Sequence, residues 1–303
     1  VDFVAYIGLF IYTLYKGKCF YSSSNWKYAL SFNIPLIPHF LSQTVLNSAD
    51  RIMIERMVNA DASGIYSLAY QISVMTVLFN NALLQAMSPW TFNKLKNRDE
   101  KAISSVGFTA LALIAVINLL FIAFAPELVA LFAPSQYREA IWIIPPITMS
   151  VFFQFSYLLF TDIELYYEKT KSIAVATTAG ALLNLLLNYI FIRIYGYFAA
   201  GYTTLTCYII IAVIHYIEMK KISRESLDGY VVYPLRMWLL LSSLFLLVGF
   251  GLLASYSVSW MRYAVIAVIV LICLIERRKI AKLLNAIRKR PDNIDTRTGG
   301  MCE

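Results

Sequence analysis

The stretch "LLLSSLFLLVGFGLLA", Leu239 to Ala254, holds no charged residue, and "YAVIAVIVLICLI", Tyr263 to Ile275, follows it closely. With its flanks each approaches the roughly 20 residues that carry an α-helix across a hydrocarbon core of about 30 Å. Similar apolar runs recur along the whole chain. Polar breaks divide them into nine expected spans, at about 2–15, 28–50, 65–89, 103–125, 141–162, 172–194, 198–218, 235–256 and 259–276. The runs are long and continuous, unlike the ten-residue alternations of a membrane β-barrel. The expected fold class is therefore an all-α integral membrane protein with about nine transmembrane helices.

Composition agrees. The 303 residues are 59% hydrophobic and 15% charged, with a mean hydropathy of +0.65, whereas a soluble domain is nearer half apolar and about a quarter charged. A net charge of +8 would suggest nucleic acid in a soluble chain. Here the basic residues sit in short loops, where membrane orientation explains them better. Alternate loops near 16–27, 94–101, 169–171 and 220–236, with the tail from Arg277 to Arg297, hold 21 of the 26 Lys and Arg. The other side has only Arg51, Arg56, Arg138, Arg193 and Arg262. The positive-inside rule makes the richer side cytoplasmic, including the C-terminus.

The first residue is Val, and the chain begins inside an apolar run, which suggests a sequence truncated at its N-terminus. The expected organisation is a truncated helix and cytoplasmic linker at 1–27, a six-helix lobe at 28–223, two peripheral helices at 224–276 and a basic tail at 277–303. In that tail Ile280, Leu283, Leu284 and Ile287 recur at helical spacing. Beyond Pro291, "DNIDTRTGGMCE" has the composition of a disordered end.

Polar residues inside the spans form stripes. His39, Gln43, Asn47 and Asp50 share one helix face; so do Asn81, Gln85 and Ser88; Ser150, Gln154, Tyr157 and Thr161; and Thr177, Asn184 and Asn188. A single Asn or Gln in a membrane helix commonly bonds to a neighbouring helix. Four striped helices together suggest a shared polar cavity. The quoted stretches of the last two spans, 239–254 and 263–275, hold nothing more polar than serine apart from the Tyr263 hydroxyl, and these spans are expected at the periphery. Pro35, Pro38 and the Pro145–Pro146 pair are expected to kink their spans. Asp162 and Glu164, near Glu168 and Lys169, suggest an interfacial charge cluster.

No HExxH, GxSxG or phosphate-binding GxxxxGKS occurs, and the four cysteines lack metal-ligand spacing. Neither a catalytic nor a metal site is expected. No loop is large enough for a soluble-facing active site.

The sequences "IPLIPHFLSQTVLNSADRIMIERMVNADASGIYSLAYQIS" (34–73), "SPWTFNKL" (88–95), "APELVALFAPSQYREAIWIIPPI" (125–147) and "NLLLNYIFIRIYGYFAAGYTTLTCY" (184–208) occur in that order. Together they resemble the polysaccharide flippases of the multidrug/oligosaccharidyl-lipid/polysaccharide (MOP) superfamily. The resemblance implies two six-helix lobes around a cavity that opens alternately to each side, with this chain supplying the C-terminal lobe, one preceding helix and two peripheral ones. It also implies transport of a polyprenyl-pyrophosphate-linked oligosaccharide across the bacterial plasma membrane, among membrane lipids and polysaccharide assembly proteins. No cofactor is implied, but coupling to a proton or sodium gradient is, with Asp50 the best-placed carboxylate. Arg51 and His39 are the candidate cations for pyrophosphate, with Arg193 behind them. Gln43, Asn47, Asn81, Gln85, Gln154, Tyr157, Asn184 and Asn188 complete the candidate cavity. A cation-coupled drug exporter of the same superfamily is the alternative, and a membrane O-antigen polymerase or acyltransferase is a more distant one.

Overall fold

The computed structural model describes residues 2–17 and 21–288. Among them every regular element is helical: α1 (Asp2–Gly17), α2 (Ser23–Asn33), α3 (Leu36–Met57), α4 (Ala60–Lys96), α5 (Glu100–Ala123), α6 (Ala125–Phe132), α7 (Ile144–Tyr166), α8 (Thr170–Tyr195), α9 (Ala199–Ser226), α10 (Leu235–Ala254), α11 (Ser259–Ile275) and α12 (Arg277–Arg288), with two short 3-10 stretches. The expected disordered end after Pro291 lies outside the described residues.

Among the described residues six helices are long and apolar enough to cross a membrane: α4, α5, α7, α8, α9 and α10. A seventh span results if the pair α11 and α12, bent by 52°, is taken as one. The remaining expected spans correspond to α1 and α3. With 16 residues, α1 is short, and α3 is long enough but carries Asp50, Arg51, Glu55 and Arg56 with its polar stripe. The expected continuous span 28–50 is broken between Asn33 and Leu36.

The prolines start helices instead of kinking them. Pro35 is the N-cap of α3 with Pro38 in its first turn, and Pro145 and Pro146 stand in the first turn of α7, whose N-cap is Ile143. A missing N–H is harmless there, because the first N–H groups of a helix have no intrahelical acceptor. Other boundaries have visible causes. The Asn59 side chain accepts from Ala62 N at 2.7 Å and begins α4. Gly196, at φ +75°, ends α8 in a conformation that glycine adopts without strain, so α9 folds back beside it.

At the centre stands α7, with nearly all its side chains buried against α4, α5 and α9. Three of its hydroxyls bond its own backbone: Ser150 donates to Ile147 O, Ser156 to Phe152 O and Thr161 to Tyr157 O. Around Phe160 the rings of Tyr216, Tyr233 and Trp238 pack edge to face, while Tyr216 and Trp238 stack at 5.3 Å. Helix α3 lies along α8 and α4, and α10 and α11 lie against α5. Exposed Leu186, Leu240, Leu244 and Leu247 give the outer surface an apolar character, so cohesion comes from packing and internal hydrogen bonds rather than from expelling water.

The α4–α5 turn, the α7–α8 turn and the end of α9 meet at one end of the bundle. Arg98 donates to Ser226 O at 2.8 Å, and Lys169 lies 3.9 Å from Glu225. At the other end Ser63 donates to Arg51 O, Tyr197 bonds Glu139, and Arg262 pairs with Glu127. The up-and-down alternation expected from the loop charges is therefore present from α3 to α9.

Candidate functional site

Asp50 is 2% exposed, near the end of α3. Its carboxylate accepts three hydrogen bonds from three other helices: Tyr66 Oη of α4 at 2.6 Å, Asn188 Nδ2 of α8 at 2.5 Å and Thr204 Oγ1 of α9 at 2.7 Å. Two further residues extend the cluster. Thr203 donates to Asn188 Oδ1, and Asn184 accepts from Asn188 at 3.2 Å and donates to Thr204 at 3.4 Å. The helical repeat explains why these residues converge, since Asn184 and Asn188 are one turn apart on the face of α8 that meets α3 and α9.

All three of these donors are neutral groups. The adjacent Arg51 points elsewhere: it donates to Asn47 O at 2.9 Å and lies 4.9 Å from the Tyr70 ring centroid. Among the described residues Asp50 forms no ion pair, and Arg51 forms none with Glu55. A carboxylate taken out of water with no cation is costly unless it is protonated or meets a positive ion. Carboxylate, amide and hydroxyl oxygens converge here, the donor set that suits a hard cation. No group of three His, Cys, Asp or Glu capable of holding a metal occurs among the described residues.

The other stripe residues divide by burial. His39 is buried with Nδ1 3.0 Å from Thr177 Oγ1. Gln43 is half-buried and donates to Tyr157 Oη at 2.9 Å. Tyr157 is buried, and Gln154 is half-buried beside it on α7. Asn47, Asn81 and Gln85 are exposed, although Asn47 accepts from Tyr70 at 3.2 Å. It is the neighbouring Asn80 that turns inward on α4, donating to Val151 O at 3.0 Å. Arg193 lies over the Tyr189 ring at 4.0 Å.

One sequence expectation is overturned. Asp162 and Glu164 do not form an interfacial cluster with Glu168 and Lys169. Because α7 is central, even its last turns are enclosed: Asp162 accepts from Ser88 Oγ at 2.8 and 2.9 Å, and Glu164 meets His215.

Residues 3–95 match the family model described as "Polysaccharide biosynthesis protein". A solved structure of a MOP superfamily transporter from Pyrococcus furiosus, described by its authors as having a binding pocket whose reverse polarity suggests a different function, aligns with a TM-score of 0.50 and 18% identity. The chain has the MOP transporter fold. The alignment covers 84% of this chain and 61% of that one, so the chain spans about three fifths of the length of this MOP relative. No curated protein matches the chain. In the MOP fold as present here, six apolar helices make it a multi-pass membrane protein.

Proposed function

We propose that this chain serves a flippase that moves polyprenyl-pyrophosphate-linked oligosaccharide units across the bacterial plasma membrane for surface polysaccharide synthesis, with Asp50 binding the coupling proton or sodium ion. The observation that carries the reading is the buried Asp50 carboxylate, held by Tyr66, Asn188 and Thr204 without a cationic partner. The family model matched by residues 3–95 supports the polysaccharide assignment.

A hydrated sugar cannot cross hydrocarbon, so the path must be polar. Exposed Asn47, Asn81 and Gln85 and half-buried Gln43 and Gln154 supply amides on α3, α4 and α7 for sugar hydroxyls. Arg51, braced on Tyr70, is the cation offered to pyrophosphate. The basic end of the bundle faces the cytoplasm in this reading.

The test is complementation. The gene that encodes this chain should restore surface polysaccharide to a strain lacking its flippase, with export that fails when the coupling gradient, of sodium or of protons, is removed. Absence of restoration despite normal protein level, or a gain of drug resistance instead, would overturn the proposal.

A further inference from the structure

Away from the Asp50 cluster the bundle encloses a second titratable pair. Glu164, in the last turns of α7, and His215, in the middle of α9, are both fully buried, with Oε1 2.7 Å from Nδ1. Their remaining polar atoms, Glu164 Oε2 and His215 Nε2, have no hydrogen-bond partner. Thr204 and His215 are eleven residues apart on α9, which places the pair about 16 Å along that helix from Asp50. It lies toward the basic end.

A purely structural ion pair of this kind should satisfy both groups, because a buried polar atom without a partner is costly. Here each member keeps one atom free. With Nδ1–H donating to Glu164 the tautomer is fixed, and Nε2 carries the available lone pair. A proton added at Nε2 turns a site of net charge −1 into a neutral imidazolium–carboxylate pair. No bond other than N–H forms, and the proton comes from water reaching the basic end. A second proton, on the carboxylate, would leave an uncompensated positive charge, so the pair holds one.

The surroundings connect this pair to the candidate cavity. Tyr157 stacks on the His215 ring at 5.2 Å and 21°, and its hydroxyl accepts from Gln43 of α3. The titratable groups around the pair are Tyr157 and Asp162 on α7, Glu218 and Tyr208 on α9 and His39 on α3. His39 is engaged with Thr177, and the other groups are neutral or acidic, so His215 is the basic group that pairs with Glu164.

We propose that Glu164 and His215 form a second proton-binding site, loaded and emptied from the basic end of the bundle and separate from the ion site at Asp50. His39 and His215 are the two histidines of the chain, so imidazole ¹⁵N labelling gives two pairs of ring-nitrogen signals, assigned by comparison with His39→Asn. The experiment follows the His215 signals of the whole chain in lipid nanodiscs between about pH 5 and pH 9. His215 Nε2 should pass from the protonated to the unprotonated position within that range. In Glu164→Gln, which removes the anion, the ratio of protonated to unprotonated His215 at a given pH should fall about tenfold. An Nε2 signal that stays fixed throughout would make the pair a static strut and overturn the proposal. So would a Glu164→Gln protein that titrates as the parent does. Should that variant fail to fold, the parent titration decides, with Glu164→Asp as the milder perturbation. None of these readings depends on Asp50 or on flippase activity.

Discussion

Asp50 of α3 and Asn188 of α8 are joined by a 2.5 Å hydrogen bond across 138 residues of sequence, and both side chains are closed off from solvent. The carboxamide that reaches Asp50 is itself fixed by Thr203 and Asn184. Removing the charge while keeping the shape isolates the ionic role. Asp50→Asn should leave protein level unchanged and lower export at least tenfold, read as surface polysaccharide beside an immunoblot. Export at the parental rate would remove Asp50 from coupling.

Truncating the same residue has a different cost. In Asp50→Ala the donors on Tyr66, Asn188 and Thr204 lose their acceptor, at about 1–3 kcal/mol for each one left unsatisfied. Thermal denaturation in detergent should show this variant clearly less stable than Asp50→Asn. Equal melting temperatures would mean that the donors find other partners.

Arg51 is held by a backbone carbonyl and the Tyr70 ring, not by a carboxylate. Its charge is therefore free for an anionic ligand. Arg51→Ala should reduce surface polysaccharide without changing protein level, and Arg51→Lys should retain part of it because the charge survives but the planar fork does not. Normal export by the alanine variant would exclude Arg51 from the site.

Gly107 on α5 touches the Tyr233 ring so closely that an added Cβ would lie 2.5 Å from ring carbon Cε1. That ring is 1% exposed and wedged against Phe108 and Phe160. Gly107→Ala should destabilise the fold by about 1–3 kcal/mol through overpacking, measurable as a lowered melting temperature. An unchanged melting temperature would show that the ring can move aside.

Much of this was legible before any coordinates. Long apolar runs marked α4, α5 and α7 to α10, and three-and-four spacing put Asp50, Asn184 and Asn188 on inward faces. Tyr66, Thr203 and Thr204 carry no such signal, because hydroxyls that do not recur at three-and-four spacing create no stripe. The choice of Asn80 rather than Asn81 as the inward residue depends on the rotation of α4 against α7, which one helix's periodicity does not fix. Glu164 looked interfacial because it ends an apolar run; its burial follows from the central place of α7, a property of the whole bundle. The pairing of residues 164 and 215 is tertiary and leaves no mark in local sequence.

The Asp50 carboxylate of α3 takes one donor from each of α4, α8 and α9. Any rearrangement that slides α8 or α9 along α3 must therefore take a donor away from the carboxylate. With the ion proposed above on Asp50, ion occupancy and helix arrangement become two readings of one equilibrium. Whatever factor separates the ion's affinity for two arrangements of these helices is the same factor by which the ion biases one arrangement over the other.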